Sequence, residues 1–200
     1  MRAFVFDTET TGFPVKDGAL SEQPHVVQFA GVLGEISKED GFVETERVNF
    51  LVKPGIPIPF GASQVHGIYD ADVLNAPPIT EFIDRILRYL NTTDVVVGHN
   101  IEFDETIIRY ELARMGRPGD YQPVSTCCTM RSSTDHCKLQ GRGFSFKPPR
   151  LNELHKHLFG EFFEGAHDAM VDVESTARAL GELVKRGVVT LEEKKEMRLF

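Results

Sequence analysis

The sequence predicts one α/β domain built around a mixed β-sheet. Its 200 residues are a usual length for one domain, and 41% of them are hydrophobic, which is enough for a sizeable core. Apolar segments typical of three strands come first, and helical and strand patterns alternate after them. Because no repeat, low-complexity tract or linker interrupts the chain, we predict a single domain over residues 1–200.

The three opening strands are predicted from apolar, β-branched segments. "RAFVFD" (2–7) has the composition of a short buried strand. "HVVQFAGVLGEI" (25–36) and "GFVETERVNFLVKP" (41–54) are separated by a short charged turn, so we predict a hairpin. The proline-rich segment that follows, "KPGIPIPFGASQVHGIYD" (53–70), holds so many turn formers that we predict no regular element there.

The rest of the chain alternates helices and strands. Apolar residues recur at helical spacing in "ITEFIDRILRYL" (79–90), where Thr80 is the predicted cap. "DVVVG" (94–98) is predicted as a short buried strand and "PVSTCCTM" (123–130) as an edge strand. The other segments with helical periodicity are "FDETIIRYELARMG", which ends at Gly116, "RLNELHKHLFG" and "HDAMVDVESTARALGELVKRG".

Charge and cysteine content exclude several classes of protein. The formal net charge of −8 argues against a protein that coats nucleic acid electrostatically, but not against an enzyme that grips a strand end. The apolar runs are too short for a membrane span and no signal peptide is recognisable, so we predict a soluble, cytoplasmic protein. Cys127, Cys128 and Cys137 lack a CxxC pair, which favours reduced thiols and fits no common structural zinc site.

Positive charge is concentrated in one segment of this acidic chain. We predict an extended basic flap over about residues 127–150, in which Asp135 is the single acid among residues 131–150. Two interpretations stay open, a solvated loop and a flap that contacts phosphates. The basic residues of the flap are Arg131, Lys138, Arg142, Lys147 and Arg150.

Acidic side chains recur where predicted strands end and helices begin. Asp7 and Glu9 lie two positions apart on the first strand, so they point to the same face, and their mutual repulsion calls for a positive partner. Asp104 lies just inside a helix that follows a buried strand. Asp172 lies on the flank of the last helix's apolar stripe, five residues after His167, where it can face a shared cleft. Any one of these acids could simply cap a helix, but the set indicates a site.

Three blocks, "FDTETTG", "GHNIEFD" and "HDAMVD", resemble those of the DEDDh 3′-to-5′ exonucleases, the family of the bacterial proofreading subunit, RNase T and oligoribonuclease. The resemblance spans residues 4 to about 180. It implies a ribonuclease-H-like fold, a mixed sheet that is antiparallel in its first three strands and then parallel, flanked by helices. The positions that match the family's metal-binding acids are Asp7, Glu9, Asp104 and Asp172, and its catalytic base matches His167.

The implied reaction is hydrolysis of a phosphodiester bond by water. Two Mg²⁺ ions, with Mn²⁺ as a substitute, would clamp the attacking and departing oxygens from positions roughly 3.5–4 Å apart. Four carboxylates suit such a pair because Mg²⁺ prefers oxygen ligands. One ion is expected on Asp7, Glu9 and Asp172, and the other between Asp7 and Asp104. His167 would take the proton of the attacking water, since imidazoles titrate near neutral pH.

The resemblance also implies contacts with the end of the substrate. In the family, main-chain groups after the first acidic pair hold the terminal 3′-hydroxyl, and an apolar wedge packs on the last base. The positions so implied are Thr10, Thr11 and Gly12 for the hydroxyl, Phe13 for the wedge, and His66, Asn100 and Phe103 as further lining residues. By residue type Phe13 fits a core equally well, and His99 is expected to be a satisfied core residue.

Three functions stay open from the sequence. The leading one is a metal-dependent exonuclease that releases nucleoside monophosphates from single-stranded 3′ ends. The second is a catalytically silent module that binds nucleic acid or a DNA polymerase, and the third is an internal two-metal nuclease. The sequence distinguishes neither DNA from RNA as the substrate nor a monomer from a homodimer.

Overall fold

A five-stranded mixed sheet forms the centre of the computed structural model, which describes residues 1–141, 143 and 145–191. Its strands are β1 (Arg2–Thr10), β2 (Val26–Ser37), β3 (Gly41–Leu51), β4 (Val95–Gly98) and β5 (Thr126–Cys128). They lie in the order β3-β2-β1-β4-β5. Strands β1, β2 and β3 pair antiparallel, whereas β4 and β5 run parallel to β1. The predicted mixed sheet and the edge position of β5 are confirmed.

Helices cover both faces of this sheet. Within the described residues they are α1 (Phe60–His66), α2 (Ile83–Thr92), α3 (Ile101–Arg114), α4 (Thr129–Ser132), α5 (Thr134–Cys137), α6 (Leu151–Phe159) and α7 (Ala169–Lys185). Short 3-10 turns occur at Leu20–Glu22 and Ile79–Glu81. The four longest helices overlap the four helical segments predicted from apolar periodicity.

Strand β1 lies at the centre of the sheet and separates two apolar cores. Its side chains alternate, so Ala3 and Val5 pack on one face, where α6 and α7 lie. Phe4 and Phe6 pack on the opposite face against α2 and α3. The same alternation carries Asp7 and Glu9 out on the α7 side of the sheet and Thr8 out on the α3 side.

Helix α1 lies in the proline-rich segment for which no regular element was predicted, so that prediction was wrong. Pro59 precedes the first helical residue, where its missing N–H costs no hydrogen bond. Gly67 ends the helix with a φ of +74°, and its N–H donates to the carbonyl of Ser63 at 2.8 Å. The turn formers therefore mark the two ends of a short helix.

The prediction of Thr80 as a helix cap was also wrong. Pro78 precedes a 3-10 turn at Ile79–Glu81, and α2 begins only at Ile83. Phe82 occupies the cap position and caps without a side-chain hydrogen bond. Thr80 is exposed and belongs to the preceding turn.

The segment 127–150 is partly folded into the domain. It begins in β5 and continues through α4 and α5, and Cys127 and Cys137 are buried in the core on the α7 side. Arg131 forms an ion pair with Glu102, and Lys138 and Arg150 are exposed. Lys147 pairs with Glu153 at 2.5 Å, whereas Arg142 lies outside the described residues.

Cys127, Cys128 and Cys137 are free cysteines, and Cys127 and Cys137 are buried. No helix of the described residues combines the length and the apolar character that a membrane span needs.

Candidate active site

Three carboxylates meet where β1 emerges beside the first turn of α7. Asp7, Glu9 and Asp172 each offer an oxygen, and these oxygens lie within 4.8 Å of one another. All three residues are half-buried. Hard oxygen donors this close together are ligands that suit a divalent cation.

The local structure explains why these side chains converge. Strand alternation places Asp7 and Glu9 on the face covered by α7. Asp168 caps α7, because its carboxylate accepts the N–H groups of Met170 at 2.9 Å and Val171 at 3.3 Å. Asp172 follows one turn later and so faces back to the end of β1. Asp168, and not Asp172, is therefore the residue that caps α7.

Asp104 approaches the same place from the other side of the sheet. It lies in the first turn of α3, is 2% exposed, and accepts two hydrogen bonds on Oδ1. Both come from Thr8, from its N–H at 2.9 Å and from its hydroxyl at 2.7 Å. Thr8 points to the α3 face, so it connects Asp104 to the strand that carries Asp7 and Glu9. Sequence reasoning did not identify Thr8.

The clustered carboxyls perturb one another strongly. Burial, followed by the charges of Asp172 and Asp104, raises the pKa of Glu9 to about 8. Burial, followed by the charges of Asp104, Asp172 and Glu9, raises the pKa of Asp7 well above its usual range. Burial also raises the pKa of Asp104 to about 7 against the opposing hydrogen bonds of Thr8. A cation among these groups would relieve both the repulsion and the desolvation.

Asp172 connects this cluster to His167. Its Oδ2 accepts the main-chain N–H of His167 at 3.1 Å, while its Oδ1 is buried without a hydrogen-bond partner among the described residues. His167 has a φ of +72°, an uncommon conformation for a residue with a side chain, and its imidazole is exposed. Burial raises the pKa of Asp172, and the nearby His167 opposes that shift.

The carboxylates and His167 line a cleft of about 550 Å³ that also contains every predicted substrate residue. Phe13 is 84% exposed and contacts the ring of Phe103 edge-on with centroids 5.9 Å apart, so it is not a core residue. The N–H of Thr11 is donated to the carbonyl of His25 at 2.9 Å. The residues of the predicted substrate set that line the cleft are Thr10, Thr11, Gly12, Phe13, His66, Asn100 and Phe103.

Helix α1, which the sequence analysis missed, forms the opposite wall of the cleft. Ala62 and Val65 line it, and Val65 is 55% exposed. His66 accepts the N–H of Ile68 on Nδ1 at 3.1 Å, so its proton is on Nε2. This Nε2 is buried and has no hydrogen-bond partner among the described residues. The Thr10 carbonyl is close enough to oppose the fall in the pKa of the ring. Burial lowers the pKa of His66, and His167 lowers it further.

His99 also touches the cleft but is a satisfied structural residue, as predicted. Its ring nitrogens lie 3.0 Å from the Thr129 hydroxyl and 3.0 Å from the Pro149 carbonyl. Burial lowers its pKa to about 4, so the ring is neutral at physiological pH. His99 thereby holds the end of the 127–150 segment against the end of β4.

Comparison with known proteins identifies relatives along most of the chain. The RNase T family model, described as an exonuclease, matches residues 4–180. A DNA polymerase III subunit epsilon-like protein of Rhodobacter capsulatus is 31% identical across 93% of this chain, which corresponds to 25% of that protein. DNA polymerase III subunit epsilon of Escherichia coli K12 is 28% identical across 88% of this chain and 68% of its own length.

Solved structures share the fold. Escherichia coli exonuclease I bound to single-stranded DNA superposes with a TM-score of 0.73 at 22% identity, over 92% of this chain and 40% of its own. The nuclease domain of 3′hExo, a DEDDh family member bound to rAMP, superposes with a TM-score of 0.71 at 14% identity over 97% of both chains. The family model covers most of the chain, so the chain belongs to the RNase T exonuclease family.

Proposed function

We propose that this protein removes nucleoside monophosphates stepwise from the 3′ ends of single-stranded nucleic acid in a metal-dependent hydrolysis. The observation that carries the proposal is the convergence of Asp7, Glu9 and Asp172 within 4.8 Å, in a cleft that also holds His167. Family membership supports the same reaction class. The cleft has room for a nucleotide, and its two apolar walls suit a base.

The residues present fit a pair of divalent cations. Asp172 Oδ1 is buried without a hydrogen-bond partner among the described residues. Burial and like charges raise the pKa values of Asp7 and Glu9, as expected for carboxyls that face one another without a cation. We assign one Mg²⁺ to Asp7, Glu9 and Asp172, and a second to Asp7 and Asp104. When bound, such a pair activates water and neutralises the leaving oxygen. Mn²⁺, which takes similar oxygen ligands, is expected to substitute.

His167 is the proposed general base. Its main-chain hydrogen bond to Asp172 holds it beside the carboxylates, and its exposed imidazole can reach a water in the cleft. The ring accepts a proton from that water, and the neighbouring acids stabilise the imidazolium that forms. His66 lines the opposite wall of the cleft, where its ring borders the space proposed for the substrate.

The substrate end is proposed to lie between Phe13 and α1. Phe13 and Phe103 form one apolar wall, and Ala62 and Val65 form the other. Bases of any sequence stack on aromatic rings, which suits an exonuclease that must process every nucleotide. We assign the contact with the terminal hydroxyl to the main chain of Thr10, Thr11 and Gly12, which line the cleft.

A 3′-end assay tests the proposal. A single-stranded DNA oligonucleotide labelled at its 5′ end is incubated with Mg²⁺ or Mn²⁺, with and without a chelator. The proposal predicts a ladder of products shortened one nucleotide at a time, which disappears with the chelator and in Asp7→Asn. Binding without cleavage would support the silent module instead, and cleavage of a circular strand would support an internal nuclease.

Two further experiments identify the sugar of the substrate and test the protein partner. Parallel digestion of DNA and RNA oligonucleotides of one sequence identifies the sugar that the enzyme accepts, since the 2′-hydroxyl is the difference between them. The epsilon relatives are named as polymerase subunits, so a DNA polymerase is the proposed protein partner. Size-exclusion chromatography of the chain with and without a replicative polymerase tests that partner and distinguishes a monomer from a homodimer.

A further inference from the structure

Helix α3 is attached at both ends to the loop of residues 11–25, which we call the 11–25 loop. Near the start of the helix, Phe103 contacts Phe13 of the loop. Near its end, one guanidinium nitrogen of Arg114 donates to the carbonyls of Gln23 at 2.6 Å and Pro24 at 3.0 Å. The same nitrogen lies 3.4 Å from the carbonyl of Leu20. The loop that carries the predicted substrate contacts is thus fixed to the helix that carries Asp104.

A buried carboxylate completes the attachment. Glu111 is 3% exposed and lies one turn before Arg114, whose Nη1 is 3.1 Å from Glu111 Oε2. The other oxygen of Glu111 accepts the N–H of Val26 at 2.9 Å and lies 3.6 Å from Nδ1 of His25. A charge this deeply buried is tolerated only with partners, so each member of the cluster needs the others.

Hydrogen bonds connect this buried cluster to Thr11, which lines the cleft. Thr11 and His25 bond twice, since the Thr11 N–H donates to the His25 carbonyl and the His25 N–H donates to the Thr11 hydroxyl, both at 2.9 Å. Gln23 braces the inside of the loop through Val15 and Gly18 at distances of 2.9 to 3.0 Å. A shift at His25 therefore moves Thr11 and the residues that follow it.

We propose that Arg114, together with Glu111 and His25, is a positioning group that fixes the 11–25 loop for recognition of the 3′-terminal nucleotide. The inference rests on the proposed exonuclease function and extends it to residues outside the cleft. Neither Glu111 nor Arg114 lines the catalytic cleft, and both lie on the far end of α3 from Asp104. Their role is to keep Phe13 and Thr11 in register with the metal-binding acids.

This role predicts a specific kinetic signature. The proposed metal ligands lie on β1, α3 and α7 and do not belong to the 11–25 loop. Loosening the loop therefore weakens the hold on the terminal nucleotide while the reacting groups stay in place. We expect KM to rise about tenfold with kcat changed less than about threefold.

The test compares Arg114→Met with Arg109→Met, both made on α3. Arg109 is the matched control because it stacks over the ring of Tyr121, 4.6 Å from its centroid, on another side of the helix. The expected tenfold rise in KM for a single-stranded oligonucleotide should occur in Arg114→Met and not in Arg109→Met. Arg114→Lys keeps the charge but not the fork, and we expect it to restore part of the wild-type KM.

A double-mutant cycle separates positioning from simple destabilisation. If Arg114 acts through the loop, Arg114→Met should add less than about twofold to the KM of Phe13→Ala, whereas independent effects would multiply. Multiplying effects, or a KM within twofold of wild type in a folded Arg114→Met or Arg114→Lys protein, overturn the inference while the proposed function stands. An inactive wild-type chain overturns the proposed function and this inference with it.

Discussion

Replacing Glu9 with glutamine should stabilise the metal-free protein while abolishing its activity. Glu9 has a pKa of about 8, against 4.5 for an unperturbed glutamate, mainly because it is buried. Between these two pH values the folded state binds more protons than the unfolded state, so the free energy of unfolding falls as pH rises. Glutamine removes this penalty because it never ionises.

The size of the effect follows from the pKa difference. At pH 8 the full shift corresponds to roughly 4 kcal/mol, and at pH 5 to about 1 kcal/mol. Solvent reaches part of the cleft and screens the charges, so we expect about half of these values. For a domain of this length, a gain of ~2 kcal/mol at pH 8 raises Tm by about 4–8 °C.

The assay is thermal unfolding with a chelator present, at pH 5 and at pH 8. Glu39→Gln is the matched control because Glu39 is exposed in the turn between β2 and β3. The stabilisation of Glu9→Gln should be larger at pH 8 than at pH 5, and Mg²⁺ should raise the Tm of the wild type more than that of the variant. A variant that is no more stable than wild type at pH 8, or equally stabilised at both pH values, would refute the reasoning.

Three other substitutions test separate parts of the account. His167→Ala should lower kcat by roughly 10²–10⁴-fold, yet keep the rise in Tm on adding Mg²⁺, because His167 is proposed as a base and not as a ligand; loss of that rise would contradict its role. Asp104→Asn keeps the hydrogen bonds from Thr8 but removes a charge, so kcat should fall at least about 100-fold while the metal-free protein becomes more stable; retained activity would exclude Asp104 from the site. Gly31→Ala should lower Tm by about 2–12 °C, because a new Cβ would lie 2.3 Å from the ring of Phe4, whereas Gly61→Ala in α1 meets no atom within 4 Å and should be tolerated in the same unfolding assay.

The sheet and the acidic site were predictable because they depend on local patterns. Strand alternation alone places Asp7 and Glu9 on one face. Helical periodicity alone places Asp172 on the flank of the apolar stripe of α7. The structure brings these three side chains together, as the resemblance implied.

Helix α1 was not predictable by the same means. The helix has seven residues, too few to be stable by itself, and prolines and glycines surround it. Val27, Ile58 and Val73 form a small core with its Ala62, so packing with distant segments stabilises it. A proline before and a glycine after an otherwise unbroken segment was the available signal.

The attachment of the 11–25 loop could not be predicted from the sequence either, because it depends on contacts between distant segments. Glu111 and Arg114 read as ordinary polar residues of an amphipathic helix. Their partners at Leu20–Val26 are 85 to 94 residues away along the chain, so no local pattern reveals them. The exposure of Phe13 was equally undecidable, because apolar side chains stack on bases and pack in cores alike.

Direct measurement of Mn²⁺ binding tests the central claim, that these carboxylates together hold divalent cations. Titration of the chelator-treated protein, followed by calorimetry and by the electron paramagnetic resonance of free Mn²⁺, should give saturable binding of about two ions per chain. Because Asp7 is assigned to both ions, Asp7→Asn should lose both, while Glu39→Gln should bind as wild type does. Unsaturable binding in the wild type, or unchanged binding in Asp7→Asn, would contradict the account.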